Sequence, residues 1–203
     1  MSLRAQFTRE TSNAALPLIA FCIALNLTVG QITGALKIPI YLDSIGTVLA
    51  AVLVGPIAGI LTGTFANLLA SATGSPTMAF FIPVVVVIGF FTGYVARLGW
   101  FRKWYLVVVG GLLQGVIAAA CSAPISAYLF SGVTLAGTDF LVLYFRSVGN
   151  NLLESVFYQG LASDPIDKLI TYSVVFVLLR SLPKRITSRF SGASNLPSNN
   201  GAP

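Results

Sequence analysis

Histidine is absent from this sequence, cysteine occurs twice, and charged residues make up only 9% of the 203 positions. The absence of histidine excludes His-based catalytic triads, His-ligated zinc sites, haem ligation through imidazole and histidine proton relays. Soluble domains carry about a quarter charged residues, whereas 56% of this chain is hydrophobic, so a water-soluble globule is also excluded. Cys22 and Cys121 both lie inside apolar runs, and we interpret each as a small packing residue.

The chain also lacks the machinery with which transporters use energy. No G-x-x-x-x-G-K-[ST] phosphate loop occurs, so we expect no ATP hydrolysis by the usual loop chemistry. The centres of the apolar runs carry almost no charge and the two halves share no repeat, which argues against a gradient-driven carrier. Carboxylate pairs without histidine or metal-ligand spacing offer little catalytic chemistry, so we expect no enzyme, no cofactor and no metal site. A passive binding subunit is favoured, with a small ion-gradient-driven secondary transporter as the alternative.

Long apolar runs are what the sequence has in abundance. A hydrocarbon core of roughly 30 Å takes about 20 helical residues, and the first run is too long for a cleaved signal peptide. The pattern predicts an all-α integral membrane protein whose six transmembrane helices lie near 14–36, 42–55, 56–72, 78–98, 104–130 and 163–181. Gly55-Pro56 joins the second and third helices in a tight hairpin, because this pair ends one helix and opens the next. We expect residues 1–185 to form one membrane domain and the polar stretch 186–203 to be a disordered tail.

The basic residues indicate how the chain crosses the membrane. The net charge is +6, and since no basic patch is interleaved with aromatic residues, we assign the excess to membrane topology and expect no nucleic-acid partner. With a cytoplasmic N-terminus and six alternating helices, both termini are cytoplasmic, and nine basic residues lie inside against three outside, as the positive-inside rule requires. The inner nine are Arg4, Arg9, Arg97, Arg102, Lys103, Arg180, Lys184, Arg185 and Arg189, and the outer three are Lys37, Arg146 and Lys168. Most acidic residues then lie outside, where polar chemistry is expected.

The stretch 138–160 carries the densest set of candidate ligand-binding residues. Its mixture of polar and large apolar residues predicts a partly inserted amphipathic helix near the outer side. Arg146, Asn150 and Glu154 are spaced four apart and share one face of such a helix. Asn151 and Tyr158 mark an adjacent stripe. The pattern leaves two interpretations open, a face that holds a ligand and a solvated face of an interfacial helix.

Further candidates lie at the predicted starts of two helices. Asp164-Pro165 is typical of an N-cap followed by Pro at the first helical position, so Asp167 and Lys168 are the better candidates for a substrate site. Asp43-Ser44 lies at the start of the second predicted helix, and capping explains that pair without a binding role.

Two amides and one loop complete the set of candidates. Asn67 and Gln114 lie in apolar helices and need hydrogen-bond partners, either across helices or on the substrate. The loop 73–77, Thr-Gly-Ser-Pro-Thr, is short and polar and contains a glycine. We interpret it as a gate over a bound ligand, with Thr77 as a contact, and an ordinary connector is the alternative.

Small residues recur at helical spacing, which lets helix backbones approach closely. We assign the glycines to packing within the bundle, and they are Gly55, Gly59, Gly63, Gly89, Gly93, Gly110, Gly111 and Gly115. Ala20-x-x-x-Ala24 in the first span suits either internal packing or the docking of a partner helix.

These features together resemble one family. The resemblance rests on six spans in about 200 residues, the Ala20-x-x-x-Ala24 pair, the hairpin IYLDSIGTVLAAVLVGPIAGILTGTFANLLAS and the stretch SDPIDKLITYSVVFVLL. Across residues 14–185 the chain resembles the substrate-binding S component of an energy-coupling factor (ECF) vitamin transporter. The resemblance implies a protein of the prokaryotic plasma membrane that binds a vitamin or related micronutrient near the outer surface. It also implies partners, namely a transmembrane coupling subunit that docks on Ala20 and Ala24 and two ATPase subunits.

Overall fold

The apolar runs of the sequence form helices. A computed structural model describes residues 3–192 and contains no strand within that range. The α-helices are α1 (Leu3–Glu10), α2 (Ala15–Ala35), α3 (Ile45–Leu53), α4 (Pro56–Ala72), α5 (Ile82–Arg97), α6 (Trp104–Phe130), α7 (Asp139–Ser147), α8 (Leu152–Ser181) and α9 (Lys184–Thr187). A 3-10 helix, Pro76–Phe81, runs directly into α5, and another, Trp100–Arg102, precedes α6. The predicted all-α class is confirmed.

Three helical segments of the described chain are long and apolar enough to cross a membrane. They are Ala15–Ala35, Pro76–Arg97 and Trp104–Phe130, and α4 is a shorter apolar helix. Large apolar side chains stand on the outside of the bundle, such as Phe21 and Phe90, which are 59% and 58% exposed. Soluble monomers rarely expose such a surface, so the chain is a multi-pass membrane protein. The count of six spans stays a prediction, because α3 has only nine residues and α8 carries charged residues near its middle.

The hairpin formed by α3 and α4 lies at the centre of the bundle. Every residue of α3 is buried. The chain reverses at Gly55, whose φ of 147° is unfavourable for a side chain, and Pro56 opens α4. This confirms the hairpin predicted at Gly55-Pro56.

The longest two helices, α6 and α8, form the most extensive helix pair. Glycines on α6 make this contact possible, because a Cβ at Gly111 would lie 2.9 Å from the Leu169 Cα, and one at Gly115 would clash with the Pro165 Cα. The predicted packing role of these two glycines is confirmed. The backbone of α8 that they touch also carries Asp164 and Lys168, so the glycines help to set where those charges stand.

The region after residue 138 differs from the sequence prediction. One amphipathic helix over 138–160 was expected, with a span starting near 163, but α7 ends at Ser147 and α8 begins at Leu152. Asn151 is the N-cap of α8, and its side chain accepts from the Glu154 N–H while the Glu154 carboxylate accepts from the Asn151 N–H. The prediction of Asp164 as an N-cap is therefore wrong. The capping box is a stronger start signal than Asp-Pro, and a membrane helix tolerates the internal Pro165.

Glu10 connects three helices at one end of the bundle, which we call the Glu10 end. Its Oε2 accepts from the N–H groups of Ile57 and Ala58 in the first turn of α4, at 2.8 and 3.2 Å. Its Oε1 accepts from Gln6 at 2.9 Å and from Arg97 at 2.8 Å. Glu10 is only 1% exposed, and its four donors join α1, α4 and α5.

The start of the predicted tail also reaches the Glu10 end. The Gly192 N–H donates to the Leu53 carbonyl at 2.9 Å, and Phe190 packs against the hydrophobic core. Residues 186–192 thus make contacts with the end of α3, and the disorder of the tail stays a prediction. Residues 193–203 of the predicted tail lie outside the described residues.

Candidate functional site

A cavity of about 460 Å³, which we call the main cavity, lies at the end of the bundle opposite Glu10. Its lining comes from α2, α4, α5, α6 and α8 and from the segments 36–44, 73–78 and 132–138. Its volume falls within the roughly 300–1,000 Å³ of small-molecule sites, which also combine apolar walls with a few polar groups. The charged lining residues are Asp43, Asp164 and Lys168, and the apolar ones include Met78, Phe81, Val84, Val85 and Ile88.

Lys168 is the one cationic side chain on the described lining of the main cavity. Its Nζ donates to the Ser44 Oγ at 3.0 Å and forms a short ion pair with the Asp167 carboxylate. Asp167 is fully buried and Lys168 is 4% exposed. Because a buried ammonium without a partner is strongly unfavourable, Asp167 is what allows Lys168 to stand there. Of the predicted candidates, Lys168 therefore lines the cavity, and Asp167 lies behind the cavity wall as its ion-pair partner.

Asp167 also anchors the segment 36–44 beside the main cavity. Its Oδ1 accepts from the N–H groups of Tyr41 and Leu42 at 3.0 and 2.7 Å. Leu42 has a φ of 51°, an uncommon conformation for a residue with a side chain. The Tyr41 hydroxyl shares a hydrogen bond of 2.8 Å with the Thr138 hydroxyl. The segments 36–44 and 132–138 are thus joined to each other and to α8.

The other two carboxylates of the main cavity have few donors. Asp164 is 6% exposed, and the one described hydrogen bond to it comes from the Ser163 hydroxyl to Oδ1 at 3.3 Å. No described hydrogen bond joins the Asp43 carboxylate to another residue. Burial raises the pKa of Asp43, and Asp167 raises it further against the opposing effect of Lys168. Both carboxylates therefore keep acceptor oxygens available on the cavity side.

Asn67 and the predicted gate lie on the opposite wall of the main cavity. The Asn67 Nδ2 donates to the Met78 carbonyl at 3.0 Å, which holds the 3-10 helix against α4. Thr77 lines the cavity, as do residues 74–76. The loop has the position that a gate requires, and its gating role stays a prediction.

The remaining predicted ligand residues lie away from the main cavity. Arg146 is in the last turn of α7, and the Asn150 amide bonds the Phe145 carbonyl at 3.1 Å in the turn that follows. Asn151 and Glu154 cap α8. The expectation that Arg146, Asn150 and Glu154 share one helical face is wrong, because the chain reverses between α7 and α8.

Tyr158 is likewise placed elsewhere. Its ring packs against the rings of Phe145 and Phe157, with centroids 5.6 and 6.4 Å apart, and the residue is 41% exposed. These contacts explain Tyr158 as part of the packing between α7 and α8.

Helix-capping roles were predicted for Asp43, Ser44 and Asp164. Ser44 stands at the N-cap position of α3 but makes no side-chain cap bond, because its hydroxyl accepts from Lys168. Asp43 and Asp164 both line the cavity. A usable signal was the spacing of Asp164, Lys168 and Thr171, which is that of one helical face and runs without interruption across Pro165.

Two buried amide side chains, Asn26 and Gln114, differ in their hydrogen bonding. Asn26 donates to the Thr47 hydroxyl at 2.9 Å and accepts from the Gly46 N–H at 2.6 Å, which fixes α2 to α3 beside the cavity. Gln114 was expected to bond either across helices or to the substrate, and among the described residues neither of its amide atoms has a partner. The Thr171 hydroxyl is in the same state. Asn26 was not among the predicted site residues, although an amide within an apolar run was a usable signal.

Comparison with known proteins identifies the chain's family. Residues 15–188 match the family model described as "ECF transporter, substrate-specific component". The chain belongs to this family. It is thus a substrate-specific subunit of an ECF transporter. No curated protein and no solved structure matches it significantly.

Proposed function

We propose that the main cavity captures a vitamin or related micronutrient at the outer face of a prokaryotic plasma membrane. The chain then delivers this compound inward together with a transmembrane coupling subunit and two ATPase subunits. The observation that carries the proposal is a cavity of about 460 Å³ with apolar walls and a small charged group, in a substrate-specific subunit. Sites of this size and lining are typical for small molecules.

The distribution of basic residues supports the orientation. Seven of them stand at or next to the helix termini of the Glu10 end, and they are Arg9, Arg97, Arg102, Lys103, Arg180, Arg185 and Arg189. The exposed cations toward the cavity end are Lys37 and Arg146. Since basic residues are enriched in cytoplasmic loops, the Glu10 end faces the cytoplasm and the main cavity faces outward.

The face of α2 with Ala20 and Ala24 suits a docking partner. Both alanines are exposed, and small residues four apart permit close approach of another helix. In the double variant Ala20→Leu/Ala24→Leu, we expect loss of co-purification with the coupling subunit, while substrate binding in detergent is retained. A Phe21→Leu variant, which alters a neighbouring exposed residue without adding bulk, is the control. Normal assembly of the double variant would assign the alanines to a lipid-facing surface.

The experiment that tests the proposed function separates binding from transport. The purified chain is dialysed against a bacterial metabolite extract, and retained compounds are identified by mass spectrometry. We expect retention of a small compound by the chain alone. We expect its uptake into liposomes only when the coupling subunit and ATPases are reconstituted with ATP. Uptake by the chain alone under a proton or sodium gradient would establish the secondary-transporter alternative.

A further inference from the structure

Acidic groups outnumber basic groups around the main cavity. Three carboxylates, those of Asp43, Asp164 and Asp167, surround one ammonium group, that of Lys168. We propose that the compound captured by this cavity is an organic cation, with a protonated amine or a positively charged ring nitrogen held between Asp43 and Asp164. This inference rests on the proposed function and names the substrate class for that site.

Lys168 makes no described hydrogen bond or ion pair with the two cavity carboxylates, Asp43 and Asp164. Its Nζ is committed to the Asp167 carboxylate and to the Ser44 hydroxyl. Asp167 is committed in turn, since its second oxygen accepts from two backbone N–H groups. Asp167 and Lys168 therefore form a closed, neutral pair, and no other cationic side chain lines the cavity among the described residues.

Asp164 is a buried acid of the cavity lining with one long hydrogen bond. It is 94% buried, since 6% of it is exposed, and it lines the cavity. The Ser163 hydroxyl reaches only its Oδ1, at 3.3 Å, and no described group donates to Oδ2. Buried carboxylates are unfavourable unless they are paired and hydrogen-bonded. A ligand with a cationic N–H or ring nitrogen supplies the missing counter-charge to Asp164 and Asp43 together.

The shape of the site favours an organic ion over a bare metal ion. About 460 Å³ far exceeds the volume of a metal ion, and the described residues contain no group of three side chains placed to hold one. Apolar walls formed by residues such as Phe81, Val85 and Ile88 give a carbon framework surface to contact, and an aromatic face also attracts a cation.

The test uses three metabolite pools in place of one named compound. A bacterial extract is separated by ion exchange at pH 7 into cationic, neutral and anionic pools, and each is dialysed against the purified chain in detergent. We expect the retained compound to come from the cationic pool. Retention from the neutral or anionic pool alone would overturn the inference and leave the proposed function standing. Retention from no pool by a correctly folded chain would overturn the proposed function itself.

Isosteric variants then locate the charge contact. Asp164→Asn and Asp43→Asn should each weaken retention of the cationic compound by roughly tenfold to a hundredfold, as expected for loss of one charge-assisted contact. Glu154→Gln removes a carboxylate outside the cavity and is the matched control, with retention equal to that of the parent. Circular dichroism and size-exclusion profiles establish that each variant is folded. Undiminished retention by both folded Asn variants would overturn the inference.

Discussion

Glu10 and Asp164 are both buried carboxylates, yet the protein surrounds them with different numbers of hydrogen-bond donors. Glu10 accepts from four described groups, two of them backbone N–H groups of α4. Asp164 accepts from one described hydroxyl. A carboxylate whose acceptor positions are filled by its own protein stabilises the fold, whereas one with open positions beside a cavity is available to a ligand. The comparison therefore separates structural from binding acids by their donors, where burial alone does not.

Asp167 lies at the same end of the bundle as Asp164, but it resembles Glu10 in the number of its hydrogen-bond donors. It accepts from two backbone N–H groups and pairs with Lys168. A position near the main cavity therefore does not decide whether a carboxylate stabilises the fold or is available to a ligand. By the donor criterion, we assign Asp167 the role of organising the site and propose Asp43 and Asp164 as the ligand contacts.

The largest effect is expected for Asp167→Ala. This change leaves Lys168 and the N–H groups of Tyr41 and Leu42 without their partner, and removing one member of a buried ion pair costs about 3–5 kcal/mol. We expect a loss of that size in the free energy of unfolding, measured by denaturant titration in detergent. Asp167→Asn, which retains one oxygen acceptor, should fall between this variant and the parent. Parent-like unfolding of Asp167→Ala would place Asp167 among the ligand contacts.

The next largest effect is expected at the opposite end, for Glu10→Ala. Loss of charge-assisted bonds to the first turn of α4 should lower the free energy of unfolding by about 1.5–3 kcal/mol. Arg97→Gln should cost less, since the Arg97 side chain is 48% exposed and its ion pair is screened by solvent. Substrate retention should equal that of the parent in both variants. Weaker retention after mutation of Glu10 would show that the number of hydrogen-bond donors does not distinguish structural carboxylates from ligand-binding ones.

A smaller effect is expected for Asp43→Asn. This substitution should raise the free energy of unfolding at neutral pH, whereas the two substitutions above lower it. The pKa of Asp43 is raised in the folded protein, so the folded state binds the proton more tightly than the unfolded state. The stability of the parent should therefore fall as pH rises through the interval between the unfolded and folded pKa values. Asp43→Asn should lose this decline, and thermal unfolding midpoints measured from about pH 4 to pH 8 would reveal it. An equal decline in parent and variant would assign it to another group.

The smallest effect is expected for Glu154→Gln. Glutamine also completes a capping box, so the free energy of unfolding should change by no more than about 0.5 kcal/mol. Retention of the substrate should be unchanged, because Glu154 caps α8 outside the main cavity. Arg146→Ala provides a second variant of the same kind. A tenfold weaker retention in either variant would return the stretch 138–160 to the binding site.

The sequence was sufficient for the class of protein and for the helix pattern from α2 to α6, whereas α1 was not predicted. Apolar length and the Gly55-Pro56 break depend on local chemistry, and the structure places α2, α4 and α6 where that chemistry predicts them. The start of α8 was misplaced because two local signals competed. Asn151-x-x-Glu154 forms the capping box, while Asp164-Pro165 has the appearance of a helix start inside an unbroken helix.

The candidate site was only partly predictable for a related reason. Lys168 and Asp167 were found because charges in apolar sequence are conspicuous. Asp43 and Asp164 were set aside because each precedes a residue that suits a helix start, and local spacing cannot reveal that α3 and α8 bring them to one cavity. The donors that distinguish Asp167 from Asp164 belong to Tyr41 and Leu42, which are distant in sequence.

The glycine contacts between α6 and α8 also bear on how this protein can change over evolutionary time. Gly111 and Gly115 contact α8 at Leu169 and Pro165, beside the residues that present charge to the main cavity. A larger residue at either glycine would push α8 outward and shift Asp164 and Lys168 without altering any group that touches the ligand. We therefore expect substitutions at Gly111 or Gly115 to alter substrate preference through the distance between α6 and α8, with every cavity residue unchanged.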